Sequence, residues 1–453
     1  MNNRNLTDRR SFLRSVGAGL GLGLAGPVGP LAFPGGSWAS ESPAMVRYRW
    51  VSVREIHGDG THNAWPDICR WQGRYYVAFN SGGKNHGGGH GLLVVSSTDG
   101  VNWETVLHKS AGEWGVLENT TRTTVCPKFL PLKDRLILVF YFYTSGDMDV
   151  SPQRKADLKR RWLSLKGSEE SFERWVGHHN TSFRTGVSYT EDGVRFEDPE
   201  PLLDPSWRIW RPQTFKGRHY IIGYRCHGQE WSFSPELESM IPEAHTFEMF
   251  ESASLFSSAD GLSWGKVSDI AAEDNDETDF DFAPDGRILA VSRKGASSKL
   301  HPGARPGSRH ALAYLSHPPY RSWRRLPLDR MIQAPAVRWA KDRWMVAGRY
   351  IDGDSEQVHP QRPDYPHKAQ RYGTRMWTLE DRTGALTQAV TLPSWGDCSY
   401  PGMIEEANGD LLVVYYSHSI TTDAHQYIGG GLWPGKMPPA SIYLARVVRE
   451  ELG

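Results

Sequence analysis

Three arginines of this chain stand at matching distances beyond tight turns. Arg225 follows the turn at Gly217 by eight residues, while Arg293 and Arg349 follow the turns at Gly286 and Asp342 by seven. A strand rises about 3.3 Å per residue, so each arginine is carried roughly 25 Å from its turn to a common level. Guanidinium forks match planar oxyanions, and three around one pocket would recognise a carboxylate. Glu277 precedes Gly286 by nine residues and Tyr400 precedes Gly409 by nine, so these two should meet at the same end. A phenol titrates at about pH 10 and is a poor nucleophile until a base takes its proton. Glu277 is placed to be that base, and nearby arginines would favour the phenolate.

The elements that must position these groups recur six times. Each is an apolar segment, a turn containing Gly or Asp, and a second apolar segment: DICRWQGRYYVAF, CPKFLPLKDRLILVFYF, RPQTFKGRHYIIGYR, ETDFDFAPDGRILAVSR, APAVRWAKDRWMVAGR and SYPGMIEEANGDLLVVYY. Their turns fall near residues 73, 134, 217, 286, 342 and 409. That period is too long for a solenoid and suits four-stranded propeller blades with insertions. The expectation is an all-β, six-bladed propeller over about residues 45–450, its innermost hairpins aimed at one central pocket. Between the hairpins lie STDGVNW (97–103), TEDGVRF (190–196) and SADGLSW (258–264). In each, Asp-Gly supports a tight turn, the hydroxyl and carboxylate bond turn amides, and the ring packs between strands.

These three segments resemble the Asp boxes of the sialidase superfamily. ETDFDFAPDGRILAVSR is similar to the sialidase stretch that carries a glutamate and one arginine of a carboxylate-binding triad, and SYPGMIEEANGDLLVVYYS to the stretch that carries the tyrosine nucleophile. The resemblance covers about residues 62–446. It implies a six-bladed fold, Tyr400 as nucleophile, Glu277 as its base, and Arg293 and Arg349 in the triad.

The first repeat departs from that pattern. Where a sialidase has Arg-Ile-Pro and then a catalytic Asp, this chain has THNAWPD (61–67) and NSGGKNHGGGHG (80–91). His62, Asn63 and Asp67 occupy the arginine neighbourhood, and His86 and His90 stand where the acid/base is expected. Imidazole titrates at about 6.5 and exchanges protons at neutral pH, so it is a competent replacement for a carboxylate. If the loop histidines only shape their loop, the acid/base falls to Asp67 or His62. Alternatively, His86 and His90 bind a metal, though no helix sets them on one face. The departure resembles sialidase-like propellers that process plant or algal polysaccharides. Further pocket candidates are Arg122, Arg211, Tyr224 and His227, with Arg225 and His227 preferred because their hairpin end should face the pocket. Asn63 joins them as a candidate substrate-binding residue. Trp65, Trp207 and Trp210 could stack on sugar rings or pack between blades.

Composition narrows the partners. Lys plus Arg (52) equals Asp plus Glu (52), so no general attraction to nucleic acid is built in. Eighteen Trp suit carbohydrate surfaces as well as blade packing. Residues 1–40 resemble a twin-arginine export signal: Arg9 and Arg10, then Phe12 and Leu13, a Gly/Ala-rich apolar stretch and small residues near Ala39. That stretch is too weak for a membrane span, so the mature protein is expected in the periplasm or secreted, with no span. Cys69, Cys126, Cys226 and Cys398 are expected to be buried free thiols. Residues 151–178 are rich in helix formers and should form a helical insertion, either a solvated decoration or a lid.

The sequence therefore points to an exported glycosidase acting on a carboxylate-bearing glycan end, sialic acid or uronate, with no cofactor. Two alternatives stay open: a lyase that cleaves a uronate linkage by β-elimination, and a glycan-binding propeller without catalysis.

Overall fold

The computed structural model describes residues 45–82, 91–110, 125–145, 181–203, 207–227, 250–271, 275–294, 310–352, 358–359, 362–366, 371–420 and 439–452, together with Ala156, Lys159, Arg160, Leu163, Ser168 and Glu169. The export-signal reading, the His86 and His90 loop and Arg122 lie outside the described residues. So does most of the 151–178 insertion, within which Ala156, Lys159, Arg160, Leu163 and Glu169 are helical.

The rest is a six-bladed propeller. Blade I is β2 (Ala64–Trp71), β3 (Arg74–Ser81), β4 (Gly91–Ser97) and β5 (Glu104–Ser110), paired in that order. Blade II is β6 (Val125–Pro131), β7 (Leu136–Ser145), β8 (Thr181–Thr190) and β9 (Glu200–Pro201). In blade III the inner strand is split into β10 (Trp207–Ile209) and β11 (Gln213–Phe215), both on β12 (Arg218–His227), followed by β13 (Phe250–Ser258) and β14 (Gly265–Ala271). Blade IV is β15 (Asn275–Phe282), β16 (Ile288–Lys294), β17 (Leu312–Ser316) and β18 (Arg324–Pro327). Blade V is β19 (Gln333–Ala340), β20 (Arg343–Asp352), β23 (Arg371–Leu379) and β24 (Leu386–Leu392), interrupted by a small hairpin of β21 (Val358–His359) and β22 (Arg362–Pro366). Blade VI is β25 (Trp395–Glu405), β26 (Leu411–Ser419) and β27 (Ser441–Leu452), completed by β1 (Met45–His57). Since β1 runs antiparallel to β27 from Met45↔Leu452 to His57↔Ile442, the first strand of the chain finishes the last blade and closes the ring.

The apolar runs are continuous because each blade is covered on both faces, so alternate residues serve different neighbours. In β20, Trp344 and Val346 pack with Leu289 and Val291 of blade IV, whereas Met345 and Ala347 pack with Met403 and Val413 of blade VI. The three Ser/Thr-x-Asp-Gly turns join third strands to fourth. In the first, Asp99 Oδ1 accepts from Val101 and Asn102 N–H, both at 2.8 Å, and Asp192 and Asp260 repeat the pattern. These amides hold the Asp260 carboxyl down at about 2. Gly193 and Gly261 sit at φ +78° and +77°, and a Cβ there would strike Tyr76 or Ile137 of the preceding blade. Cys69, Cys126 and Cys398 are buried free thiols.

Candidate functional site

Inner strands of neighbouring blades share no backbone ladder, and carboxylates on β15 replace it. The sequence ETDFD places Glu277, Asp279 and Asp281 on one face of the strand. Glu277 Oε2 accepts from Ala334 N–H (2.8 Å), Asp279 Oδ2 from Val337 N–H (2.7 Å) and Asp281 Oδ2 from Trp339 N–H (2.9 Å), stapling β15 to β19. Deeper in the ring, Arg211 donates from Nε to Asp67 Oδ1 (2.8 Å), from Nη1 to Asp279 Oδ2 and from Nη2 to the Pro401 carbonyl (3.0 Å). Asp67 Oδ2 also accepts from Phe129 N–H (2.9 Å). Together these bonds connect all six blades. Burial lifts the Asp279 carboxyl to about 6, against the pull of Arg211.

Above this brace, four inner strands are bulged, with register shifts at Ala64/Asp67, Asn275/Thr278, Gln333/Ala336 and Ser399/Gly402. In three of the bulges a residue before proline takes a left-handed conformation: Trp65 (φ 57°), Ala334 (φ 48°) and Tyr400 (φ 50°). A non-glycine residue held there costs about 1–3 kcal/mol, and bulges re-aim side chains beside functional sites. The bulge in blade VI turns the Tyr400 ring towards blades I, III, IV and V.

The Tyr400 hydroxyl donates to Glu277 Oε1. Glu277 Oε2 lies 3.2 Å from Arg293 Nη1, and Arg349 Cζ is 5.8 Å from the Tyr400 ring centre. Trp65 and Trp210 flank that ring at 6.1 and 5.8 Å between centroids. Burial raises the Tyr400 phenol well above 10, the Glu277 carboxylate raises it further, and Arg293 and Arg349 oppose them. At neutral pH it is therefore a phenol donating to a base. The structure thus brings together Tyr400, Glu277, Arg293 and Arg349.

The two arginines are engaged differently. Arg349 donates from Nε to the Cys398 carbonyl (2.8 Å), from Nη1 to Gln333 (3.2 Å) and from Nη2 to Asp397 (2.7 Å) and the Tyr416 hydroxyl (3.0 Å). Arg293 makes longer contacts, at 3.2 Å to Glu277 and 3.6 Å to Asp276, and its side chain is 25% exposed. Asp276 also lies 3.7 Å from Arg208 Nη1.

Asp67, Asn63 and His62 make contacts of their own. Both oxygens of Asp67 accept within the six-blade brace and the residue is 1% exposed, so it serves the brace and is closed to a substrate. Asn63 is fully buried; its amide donates to Asp59 (2.9 Å) and the Ala440 carbonyl (3.2 Å) and accepts from Gly82 N–H (3.2 Å), which makes it a brace of the ring closure instead of a sugar ligand. His62 is 1% exposed and lies behind Arg349, with Nε2 3.7 Å from Asp397 Oδ2. Arg225 and His227 pair through β12 with Ser252 and Phe250 of β13, and their side chains lie outside the described residues. Sequence reasoning missed Asp397, Tyr416 and Asp276. Tyr416 follows Gly409 by seven residues, the offset that singled out Arg293 and Arg349, and Asp276 adjoins Glu277.

No protein-family model matches the chain, and no curated protein does. Solved structures do. A protein of unknown function from Dyadobacter fermentans is similar over 88% of this chain and 98% of its own, at 17% identity and a TM-score of 0.57. Trypanosoma rangeli sialidase in complex with the inhibitor DANA is similar over 85% of this chain, at 9% identity and a TM-score of 0.51; the match spans 55% of that protein. Phage phi92 endosialidase is similar over 87% of this chain and 68% of its own, at 11% identity and a TM-score of 0.50. At such identities the likeness is one of fold: a six-bladed propeller similar to that of these sialidases.

Proposed function

We propose that this protein is an exported glycosidase that releases a carboxylate-bearing sugar, sialic acid or uronate, from the end of a glycan. The observation that carries the reading is the Tyr400 hydroxyl donating to one oxygen of Glu277 while Ala334 N–H and Arg293 hold the other. The half-buried phenol of Tyr400 needs such a partner to become a nucleophile. As Tyr400 Oη bonds to the anomeric carbon, its proton passes to Glu277 Oε1. The bond to the leaving oxygen breaks, and that oxygen takes a proton from an acid, the role expected for His86 or His90. In the second half a water attacks the anomeric carbon, the tyrosyl oxygen leaves and recovers its proton from Glu277, and the water's proton returns to the acid/base. Arg293 is the better guanidinium for the sugar carboxylate, because its present contacts are the longer ones. Arg349, donating from every nitrogen, would hold the pocket wall, and Trp65 and Trp210, buried in the core, would back the Tyr400 ring. The likeness in fold to a sialidase and an endosialidase supports the assignment to glycan chemistry.

The test is incubation with sialylated glycans and uronate-containing polysaccharides, followed by mass analysis. Product masses that together exceed the substrate by one water support hydrolysis. Cleavage without that gain identifies elimination, and retention of ligand without turnover identifies a binding protein.

A further inference from the structure

The ring closure carries a second cluster that the proposed chemistry does not use. His62 enters beside blade I through its bridge to Ala440, Asp397 stands on β25 and His418 on β26. One ligand atom from each lies within 4.8 Å of the other two, and the His62 and His418 rings meet at 5.5 Å and 71°. His62 Nε2 is 3.7 Å from Asp397 Oδ2. Asp397 Oδ1 accepts from Arg349 (2.7 Å) and Tyr416 (2.8 Å), which fixes the carboxylate and turns Oδ2 towards the imidazoles. Secondary partners of this kind orient ligating side chains.

We propose that His62, Asp397 and His418 form a binding site for a divalent transition-metal ion, zinc being the best match. Two imidazoles and one carboxylate are a zinc donor set, with bonds of about 2.0–2.2 Å that set ligand atoms roughly 3.4 Å apart. The His62 to Asp397 separation, 3.7 Å, is already near that value, and no pair of ligand atoms is more than 4.8 Å apart. The burial of His62 and Asp397 keeps competing water away from two of the ligands. The ion would join the residue entering blade I to two strands of blade VI, adding a clamp where β1 and β27 close the ring. It would also fix Asp397, and through it Arg349. This site is distinct from the metal reading of His86 and His90, and it does not depend on the glycosidase assignment.

The test reads metal, not turnover. The full chain is stripped with chelator, dialysed and titrated with zinc chloride, with stoichiometry read by elemental analysis and native mass spectrometry. One zinc per chain is expected, with a rise in melting temperature. His418→Ala and Asp397→Asn should bind at least tenfold more weakly, while the His86→Ala/His90→Ala double variant keeps the wild-type affinity. Circular dichroism checks that each variant is folded, and the wild-type titration needs no variant. Absence of zinc binding by the wild-type chain overturns the proposal. So does wild-type affinity in folded His418→Ala, or loss of binding in the loop double variant. Cobalt substitution gives an independent readout: a thiolate charge-transfer band would implicate the adjacent Cys398 and contradict the two-histidine, one-carboxylate set.

Discussion

Replacing Glu277 by Gln separates the two roles of that carboxylate. In the native site one oxygen accepts from Ala334 N–H at 2.8 Å and the other from the Tyr400 hydroxyl. The Gln carbonyl can keep the Ala334 bond, so the staple between β15 and β19 survives. Its amide then faces Tyr400 Oη as a donor, and the phenol has no base. Removing a positioned base costs about 10²–10⁴ in kcat, or about 2.7–5.4 kcal/mol of barrier. Glu277→Ala loses the staple as well, leaving a buried N–H without its acceptor at a further cost of about 1–3 kcal/mol in stability. The assay is kcat and kcat/KM on the substrate found in the product screen, with denaturant melts in parallel. Because base and nucleophile act as a unit, Tyr400→Phe/Glu277→Gln should be no slower than Tyr400→Phe alone. An undiminished kcat in folded Glu277→Gln, or full multiplication of the two defects, would refute the pairing.

Three further outcomes follow from the same geometry. Arg293→Ala should weaken transition-state binding by about 2–5 kcal/mol, and esterifying the substrate carboxylate should cost the wild type a similar amount but the variant little more; equal rates on neutral and acidic substrates count against the carboxylate contact. Arg211→Met leaves Asp67 and Asp279 buried without the guanidinium between them and should cost about 3–5 kcal/mol in denaturant unfolding, whereas no loss would show that the six-blade brace is unimportant. Tyr224, Tyr400, Tyr415 and Tyr416 all have phenols raised well above 10 by burial. Their stabilisation is therefore complete below pH 10, and it is lost as pH climbs towards the folded values, because the unfolded chain releases those protons first. Unfolding and tyrosinate absorbance should rise together in an alkaline titration; early ionisation of these groups in the folded protein would contradict their burial.

The hairpins were legible because a strand covered on both faces writes an unbroken apolar run, and a tight turn writes Gly or Asp beside it. Counting from those turns brought Glu277, Tyr400, Arg293 and Arg349 to one level without knowledge of any contact. Counting could not show direction. Asp67 has the composition of an acid/base, but only the fold reveals Arg211 and Phe129 N–H on its two oxygens. Asn63 likewise faces the ring closure, since the chain preceding β2 runs beside Ala440. The WPD, APA and YPG segments were visible, but their importance lies in a left-handed residue before proline, against the ordinary preference of that position. The alternating acids of ETDFD gave a strand, not a staple, because the amides they hold come from residues more than fifty positions later.

The most direct test of Tyr400 as the nucleophile is the mass of the enzyme quenched during turnover. Acid quenching followed by peptide mapping should find the released sugar, less one water, attached through the Tyr400 oxygen, with the adduct increasing for substrates whose second step is slow. The adduct should be absent from Tyr400→Phe. Hydrolysis at full rate by Tyr400→Phe, or an adduct on a different residue, would contradict the account.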